Sequence, residues 1–587
     1  VIKLLRYLKT SEWILLILSI AFIVGQVALD LTLPEYLGRI TMLVQTEGSQ
    51  MRDILHNGGL MILITFTSML ISMIIAGLAA KIATNHAARL RGLMFDKVLS
   101  YTMPELNDFS ISSLITRSTN DVLQVQSLVV TGLPILVRSP LLALWAVIRI
   151  MDKAWQWSAV TAGAVLALIM VAAAYFILAI PKFTKMQEQT DELTRMTREN
   201  LIGIRVVRAY NAEKFQAAKF LQANLALTNT NLFTNRLMAT LMPGIDLIMN
   251  GLTLAVYWIG AGIVAGAAAV HRVGAFADMM VFAAYSIQIL MAFMMLVIVF
   301  LLIPRATVAA KRINEVLETQ TTIADGPGPA FSTLSKTRGE IEFRNVSFKY
   351  PDAEEYVLEN ISFKVRRGET IAFIGSTGSG KSTIINLIPR FYDTTRGEVL
   401  VNGVNVRDYT GQRLREKIGY VAQKAVLFKG SVTSNVLFGH SGSPSDPQSQ
   451  VIEAVKFAQG AEFVEQMPDT YHAYVAPGGT NLSGGQKQRL SIARALAKKA
   501  EILIFDDSFS ALDYKTDRLL RQALKENTWG ATVLIVAQRI GTIIEADKIF
   551  VLEEGAMVGF GTHRELMHSC RVYQEIAHSQ LSKEELA

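Results

Sequence analysis

At 587 residues the chain is too long for one ordinary domain, and its 51% hydrophobic content points to membrane spans. A formal charge of +7 arrives without any nucleic-acid motif, so it is assigned to lysines and arginines flanking the spans on the cytoplasmic side, and no nucleic-acid partner is expected. The single cysteine, Cys570, excludes an intrachain disulfide framework.

The first apolar run begins at Trp13 and is long enough to span, which predicts a membrane helix rather than a cleavable signal peptide. Six stretches of roughly 20 apolar residues, the length that crosses ~30 Å of hydrocarbon, are predicted at about 13–34, 59–80, 128–150, 156–180, 241–265 and 276–303. Arg138 and Pro140 soften the limits of the third. Lys3, Arg6 and Lys9 precede the first span; Lys81, Arg89, Arg91, Lys97 and Arg117 follow the second; a basic series from Lys182 to Lys219 follows the fourth. This distribution places both termini in the cytoplasm.

The connections at 81–100 and 182–236 hold little Gly or Pro apart from Gly203, so their helices are expected to continue beyond the bilayer. Each has a short segment that could turn across the end, around 109–116 and 209–215, placed to carry force to a soluble motor; a plain helical hairpin has the same periodicity. Charged residues in or near the spans are functional candidates by default. Asp30, just before Pro34, reads either as snorkelling to the outer interface or as a transport group, and Arg149 reads as interfacial. Asp246 reads either as a polar point in a substrate cavity or as part of a salt bridge. Met279, Met280, Met291, Met294 and Met295 give the sixth span an adaptable apolar surface or a lipid-facing one.

The texture changes near residue 320. The membrane domain is set at 1–320, a linker at 321–339 around Gly326-Pro327-Gly328-Pro329, and an α/β domain at 340–587. In that domain an apolar strand, 370–374, runs into Gly375-Ser376-Thr377-Gly378-Ser379-Gly380-Lys381-Ser382-Thr383. The glycines let backbone N–H groups face phosphates, Lys381 adds positive charge, and the Ser382 hydroxyl can bind Mg²⁺, so ATP or GTP binding is expected. A second apolar strand, 502–505, ends in Asp506 and Asp507. Asp506 suits the Mg²⁺ shell, and Asp507 stands where a carboxylate would polarise the attacking water. Between the two lies Leu482-Ser483-Gly484-Gly485-Gln486, small residues opening a helix whose N-terminus can meet an anion.

On these motifs the whole chain resembles a half-transporter of the ABC exporter superfamily. The resemblance implies an all-α six-helix transmembrane domain with long cytoplasmic helix extensions, followed by an α/β P-loop ABC ATPase domain. It implies a bacterial cell-membrane protein that pairs with a second half-transporter and uses ATP and Mg²⁺. ATP would lie between the phosphate loop of one half and Ser483, Gly484, Gly485 and Gln486 of the other. Tyr350 matches the aromatic that stacks on adenine, Gln423 the glutamine that senses Mg²⁺, and Ser510-Ala511-Leu512-Asp513 the loop that touches the opposite site. Asp507 replaces the usual glutamate and Gln538 the usual histidine, a combination similar to the degenerate-site subunit of heterodimeric bacterial multidrug exporters. Ala476-Pro477-Gly478-Gly479 replaces a Gly-Glu-Arg-Gly run that contacts a coupling segment. His563 matches a structural position and not a metal ligand.

The leading expectation is therefore one subunit of a heterodimeric exporter of amphipathic, often cationic, small molecules, embedded in the lipid bilayer. Alternatives are a lipid or glycolipid flippase, a peptide exporter, and a regulatory ATP-binding membrane protein.

Overall fold

The computed structural model describes residues 2–46, 48–151, 153–328, 338–439 and 446–580. It divides into two compact units, Val1–Leu99 with Ser110–Thr319, and Ser100–Phe109 with Gln320–Ala587.

Among the described residues the first unit is helical. Six helices are long and apolar enough to cross a membrane: Thr10–Gln45, Met51–Ser100, Ile111–Ile150, Trp155–Ile202, Glu213–Gly266 and Arg272–Glu318. Each predicted span falls inside one of them. The second, fourth and fifth run to 50, 48 and 54 residues, or about 75 Å at 1.5 Å per residue, far more than a bilayer needs. The third changes its winding twice, at Arg117–Asp121 and Leu128–Gly132, where π-type turns interrupt the α-helix. Trp157, Phe282 and Tyr285 fill the interior of this unit, while Ile62 and Trp258 stand on its exposed apolar surface.

The intramembrane charges are paired more than the sequence indicated. Asp30 accepts from Arg138 at 2.8 Å. Arg149 lies 2.5 Å from Glu35. Asp246 is exposed and has no ion pair among the described residues.

The two turning segments also sit differently from expectation. After Gly203 the fourth helix gives way to Ile204–Ala209, and Asn211, at φ +50°, turns the chain into Glu213–Gly266. Only the start of the predicted 209–215 segment is therefore a turn. The other turning segment is the helix Met103–Asp108, not 109–116, where a new helix begins at Ile111. It belongs to the second unit.

The cause is local. Thr102 and Glu105 form a capping box, with Pro104 in the first turn. Glu105 is buried and accepts four hydrogen bonds: from Thr102 N–H at 2.9 Å, from the Thr102 hydroxyl, and from Thr322 N–H and hydroxyl at 2.8 and 2.7 Å. Burial alone would raise its pKa, but these bonds pull it down to about 2. A depressed carboxylate stabilises the fold above its unfolded value near 4.5 and loses that contribution as pH falls towards about 2. Glu105→Gln is expected to cost about 1–3 kcal/mol at neutral pH, read by thermal denaturation, with the penalty shrinking below pH 4.5.

The second unit is α/β. A four-stranded antiparallel sheet has the order β2-β1-β4-β5, built from β1 (Ile341–Phe348), β2 (Leu358–Val365), β4 (Arg396–Val401) and β5 (Val404–Asn405). A six-stranded sheet has the order β12-β11-β3-β10-β9-β6. Its strands are β3 (Thr370–Gly375), β6 (Ile418–Val421), β9 (Ile502–Asp506), β10 (Thr532–Val536), β11 (Lys548–Glu553) and β12 (Ala556–Gly561), while β7 (Gly430–Ser431) and β8 (Tyr474–Val475) form a separate pair. All but the β11–β12 pair are parallel. Both faces of the sheet are covered, so β9 and β10 are buried along their whole length, which explains their continuous apolar runs. The first residues of the predicted linker are tied to this unit: Gly411 N–H donates to Asp325 at 2.7 Å, and Gly326 N–H to the Tyr409 carbonyl at 3.0 Å. Residues 329–337, including Pro329, lie outside the described residues.

Candidate nucleotide-binding site

Ligands of parallel α/β sheets bind beyond the carboxyl ends of the strands. Four such ends lie side by side here. Val536 pairs with Phe373 on one side and Asp506 on the other, and Val421 pairs with Phe505. Gly375 ends β3, and Asp507, Gln538 and Gln423 follow β9, β10 and β6 within one or two residues. Motifs far apart in sequence are thereby brought to one edge.

The phosphate loop leaves β3 through Gly375, whose φ is +155°. A Cβ there would lie 2.1 Å from the Leu552 carbonyl oxygen, so no other residue fits. Ser376, Thr377, Gly378 and Ser379 lead to Gly380, at φ +97°, and the helix Lys381–Leu387. Lys381 Nζ donates to the Gly375 and Ser376 carbonyls at 2.9 and 2.6 Å, inside the loop it is expected to serve. Burial lowers its pKa, and Asp507 and Asp506 oppose that shift. Thr383 is bonded to the Tyr350 hydroxyl at 3.1 Å. Tyr350 also meets Tyr392 edge-on, with ring centroids 5.2 Å apart. Tyr392 accepts from Asn107 at 3.1 Å, a neighbour that the sequence did not suggest.

Ser382 Oγ donates to Asp506 Oδ1 at 2.8 Å. The hydroxyl and carboxylate assigned to magnesium therefore lie together, and hard oxygens are the donors that ion prefers. Ser382 and Asp506, with the Gln423 amide oxygen, would hold the ion, whose charge would offset that of the phosphates. Burial raises the Asp506 pKa, the Ser382 bond works against it, and the neighbouring Asp507 charge adds to it.

Asp507 is held on several sides. Its backbone takes φ +45°, a region that Asp enters more readily than most residues. Gln538 Nε2 donates to Oδ2 at 2.8 Å, and Gln423 Nε2 donates to the same oxygen at 3.3 Å. The Ser510 hydroxyl donates to its backbone carbonyl at 2.8 Å. Burial raises its pKa; hydrogen bonds from Gln423 and Ser510, then Lys381 and Arg539, oppose the shift. The two replaced positions, Asp507 and Gln538, are thus in direct contact.

Ser483, Gly484, Gly485 and Gln486 form a separate structure at the start of the helix Gly484–Ala497. Gln486 N–H donates to Ser483 Oγ at 3.3 Å, and Ser483 N–H to Gln486 Oε1 at 2.9 Å, a complete capping box. Among the described residues none of the four is hydrogen bonded to the phosphate loop. Asp513 caps the next helix, accepting from Thr516 N–H at 2.9 Å. Ala476-Pro477-Gly478-Gly479 forms a tight turn with Gly478 and Gly479 at positive φ. His563 bonds the Tyr573 hydroxyl at 2.8 Å, a packing role.

Residues 16–293 match the family described as the ABC transporter transmembrane region, and residues 358–510 the family described as ABC transporter. An uncharacterized ABC transporter ATP-binding protein of Mycobacterium bovis is 36% identical, over 93% of each chain. An ATP-dependent lipid A-core flippase of Pseudomonas aeruginosa is 32% identical over 83% of this chain and 79% of its own. A Bacillus subtilis protein named for multidrug export as an ATP-binding/permease protein is 31% identical over 81% of both. The solved structure of a bacterial Atm1-family ABC exporter with ATP bound superposes with a TM-score of 0.79, covering 97% of this chain and 98% of that one at 24% identity, a likeness of fold. The chain belongs to the ABC transporter family, as a multi-pass half-transporter in which six transmembrane helices are fused to an ATP-binding ATPase domain that drives export.

Proposed function

We propose that the chain is one half of a heterodimeric exporter of amphipathic small molecules in a bacterial cell membrane, with its ATPase domain and both termini in the cytoplasm. On this reading Lys381 and its loop bind ATP that turns over slowly. Ser483, Gly484, Gly485 and Gln486 complete a faster site built on the partner's phosphate loop. Met103–Asp108 and Ile204–Ala209 carry the motor's movement to the membrane helices.

The observation that carries this reading is the Asp507 carboxylate oxygen shared by two amides, at 2.8 and 3.3 Å. A general base must reach its proton at ~2.6–3.2 Å. Asp is one methylene shorter than Glu, and a misplacement of on the order of 1 Å can cost ~10²-fold. The amides also occupy the lone pairs of Oδ2, so that only Oδ1 is left to face water, and neither amide can carry the charge available to histidine. The capping box of Ser483 and Gln486 supports an intact signature.

The test is the ATPase rate of the full chain alone and co-purified with the product of the adjacent open reading frame, which on this reading is a second half-transporter. Low activity alone, high activity together, and a change below about twofold on Asp507→Asn are expected. Full activity of the chain alone would overturn the division of labour. A lipid cargo is the second reading, favoured by the 32% identity to a lipid A-core flippase. ATP-driven movement of a labelled lipid between leaflets, without uptake of amphiphilic dyes into proteoliposomes, would select it.

A further inference from the structure

Four spanning helices bring polar side chains together within the membrane region. Arg138 Nη2 donates to Asp30 Oδ2 at 2.8 Å, and Ser68 Oγ to Asp30 Oδ1 at 2.6 Å. Gln288 Nε2 reaches the Asp30 backbone carbonyl at 3.3 Å. That carbonyl is free because Pro34, four residues on in the helix Thr10–Gln45, has no N–H to bond it. The Tyr285 hydroxyl takes the next carbonyl, that of Leu31, at 2.7 Å.

Both Asp30 oxygens are engaged, and the Asp30–Arg138 pair is neutral. Hydrogen-bonding capacity is left over on its partners. Among the described residues Arg138 bonds only Asp30; its Nε is buried without an acceptor, and 43% of its side chain is exposed. Gln288 Oε1 is buried without a donor. A guanidinium has five N–H donors, and one held within a membrane faces a polar cavity or path rather than lipid.

We propose that Arg138, tethered by Asp30, is a binding point on the export path for neutral cargo carrying a strong hydrogen-bond acceptor, a carbonyl or phosphoryl oxygen. A cationic group finds the Asp30 carboxylate already bonded and meets the Arg138 charge. An anionic group leaves a net negative charge beside Asp30 in a medium of low dielectric. A neutral acceptor uses the free N–H groups and keeps the balance. The phrase "export path" rests on the function proposed above; binding itself does not require transport.

Three probes share an aryl body and differ in charge: triphenylphosphine oxide, tetraphenylphosphonium and tetraphenylborate. Equilibrium binding to the full chain in lipid nanodiscs should show affinity for the phosphine oxide. Arg138→Lys, which keeps the charge, should weaken it about tenfold or more and shift the phosphonium less than about twofold, whereas Arg138→Gln, which leaves the Asp30 charge unpaired, should weaken it and move the preference to the phosphonium. Asp30→Asn, which unbalances Arg138, should move the preference to the borate. Equal losses for all three probes with Arg138→Lys would mark a structural tie and overturn the site. So would absence of phosphine oxide binding by the unaltered chain. Phosphine oxide binding without ATP-driven uptake into proteoliposomes supports the site while removing the export reading.

Discussion

An Asp507→Glu, Gln538→His double variant, assembled with its partner, is expected to hydrolyse ATP at this chain's own site about 10²-fold faster than the unaltered site. The measurement is single-turnover hydrolysis with the partner's own base neutralised, so that only this site contributes. Each change alone should give less than about a tenth of that gain, because the two positions touch. A longer carboxylate at 507 would push against Gln538 Nε2, now 2.8 Å from Oδ2, and Gln423 Nε2, 3.3 Å away. A histidine at 538 facing the short Asp507 could supply charge but not reach. Absence of a gain in the double variant would place the slow step elsewhere, in the altered Ala476–Gly479 turn or in the membrane helices, and would remove Asp507 and Gln538 as its cause.

The strands that run into the phosphate loop and the two aspartates were legible because each is a local pattern, a buried apolar run that stops at polar or glycine residues. The contact between Asp507, Gln538 and Gln423 was not. It depends on β9 lying between β6 and β10 in the sheet, an order that no local pattern encodes. The six spans were readable from length and hydropathy, and the helix extensions from the scarcity of Gly and Pro. The turning helix is Met103–Asp108 and not 109–116, and Thr102, Pro104 and Glu105 carry its start signal. The signal follows directly on the helix that ends at Ser100, and the contacts from Thr322 that fix Glu105 come from a residue 217 positions away. The Asp30–Arg138 pair was hidden for a different reason: its members are 108 positions apart and sit on different helices. A charge in a span announces a cost, and only packing reveals what meets it.

Gly484→Asp on this chain is expected to lower the ATPase rate of the assembled exporter by about 10²- to 10³-fold, while ATP still binds at Lys381. The substitution is clean because a Cβ at Gly484 meets no atom within 4 Å, so the chain itself can accommodate it. A carboxylate in the first turn of Gly484–Ala497 also favours the helix by about 0.3–1 kcal/mol, so loss of fold is not the expected route. What changes is the anion that this helix end can receive. Two like charges ~4 Å apart cost about 4 kcal/mol at an effective dielectric of 20, roughly three decades in rate. Gly484→Ala, which adds bulk without charge, should stay within about tenfold, and Asp507→Asn should hardly move the rate. Unequal responses to changes in two motifs of one chain are what a shared pair of unequal sites requires. If Gly484→Asp left the rate intact, this signature would serve no competent site, and the chain would be a passive partner that binds ATP without helping to consume it.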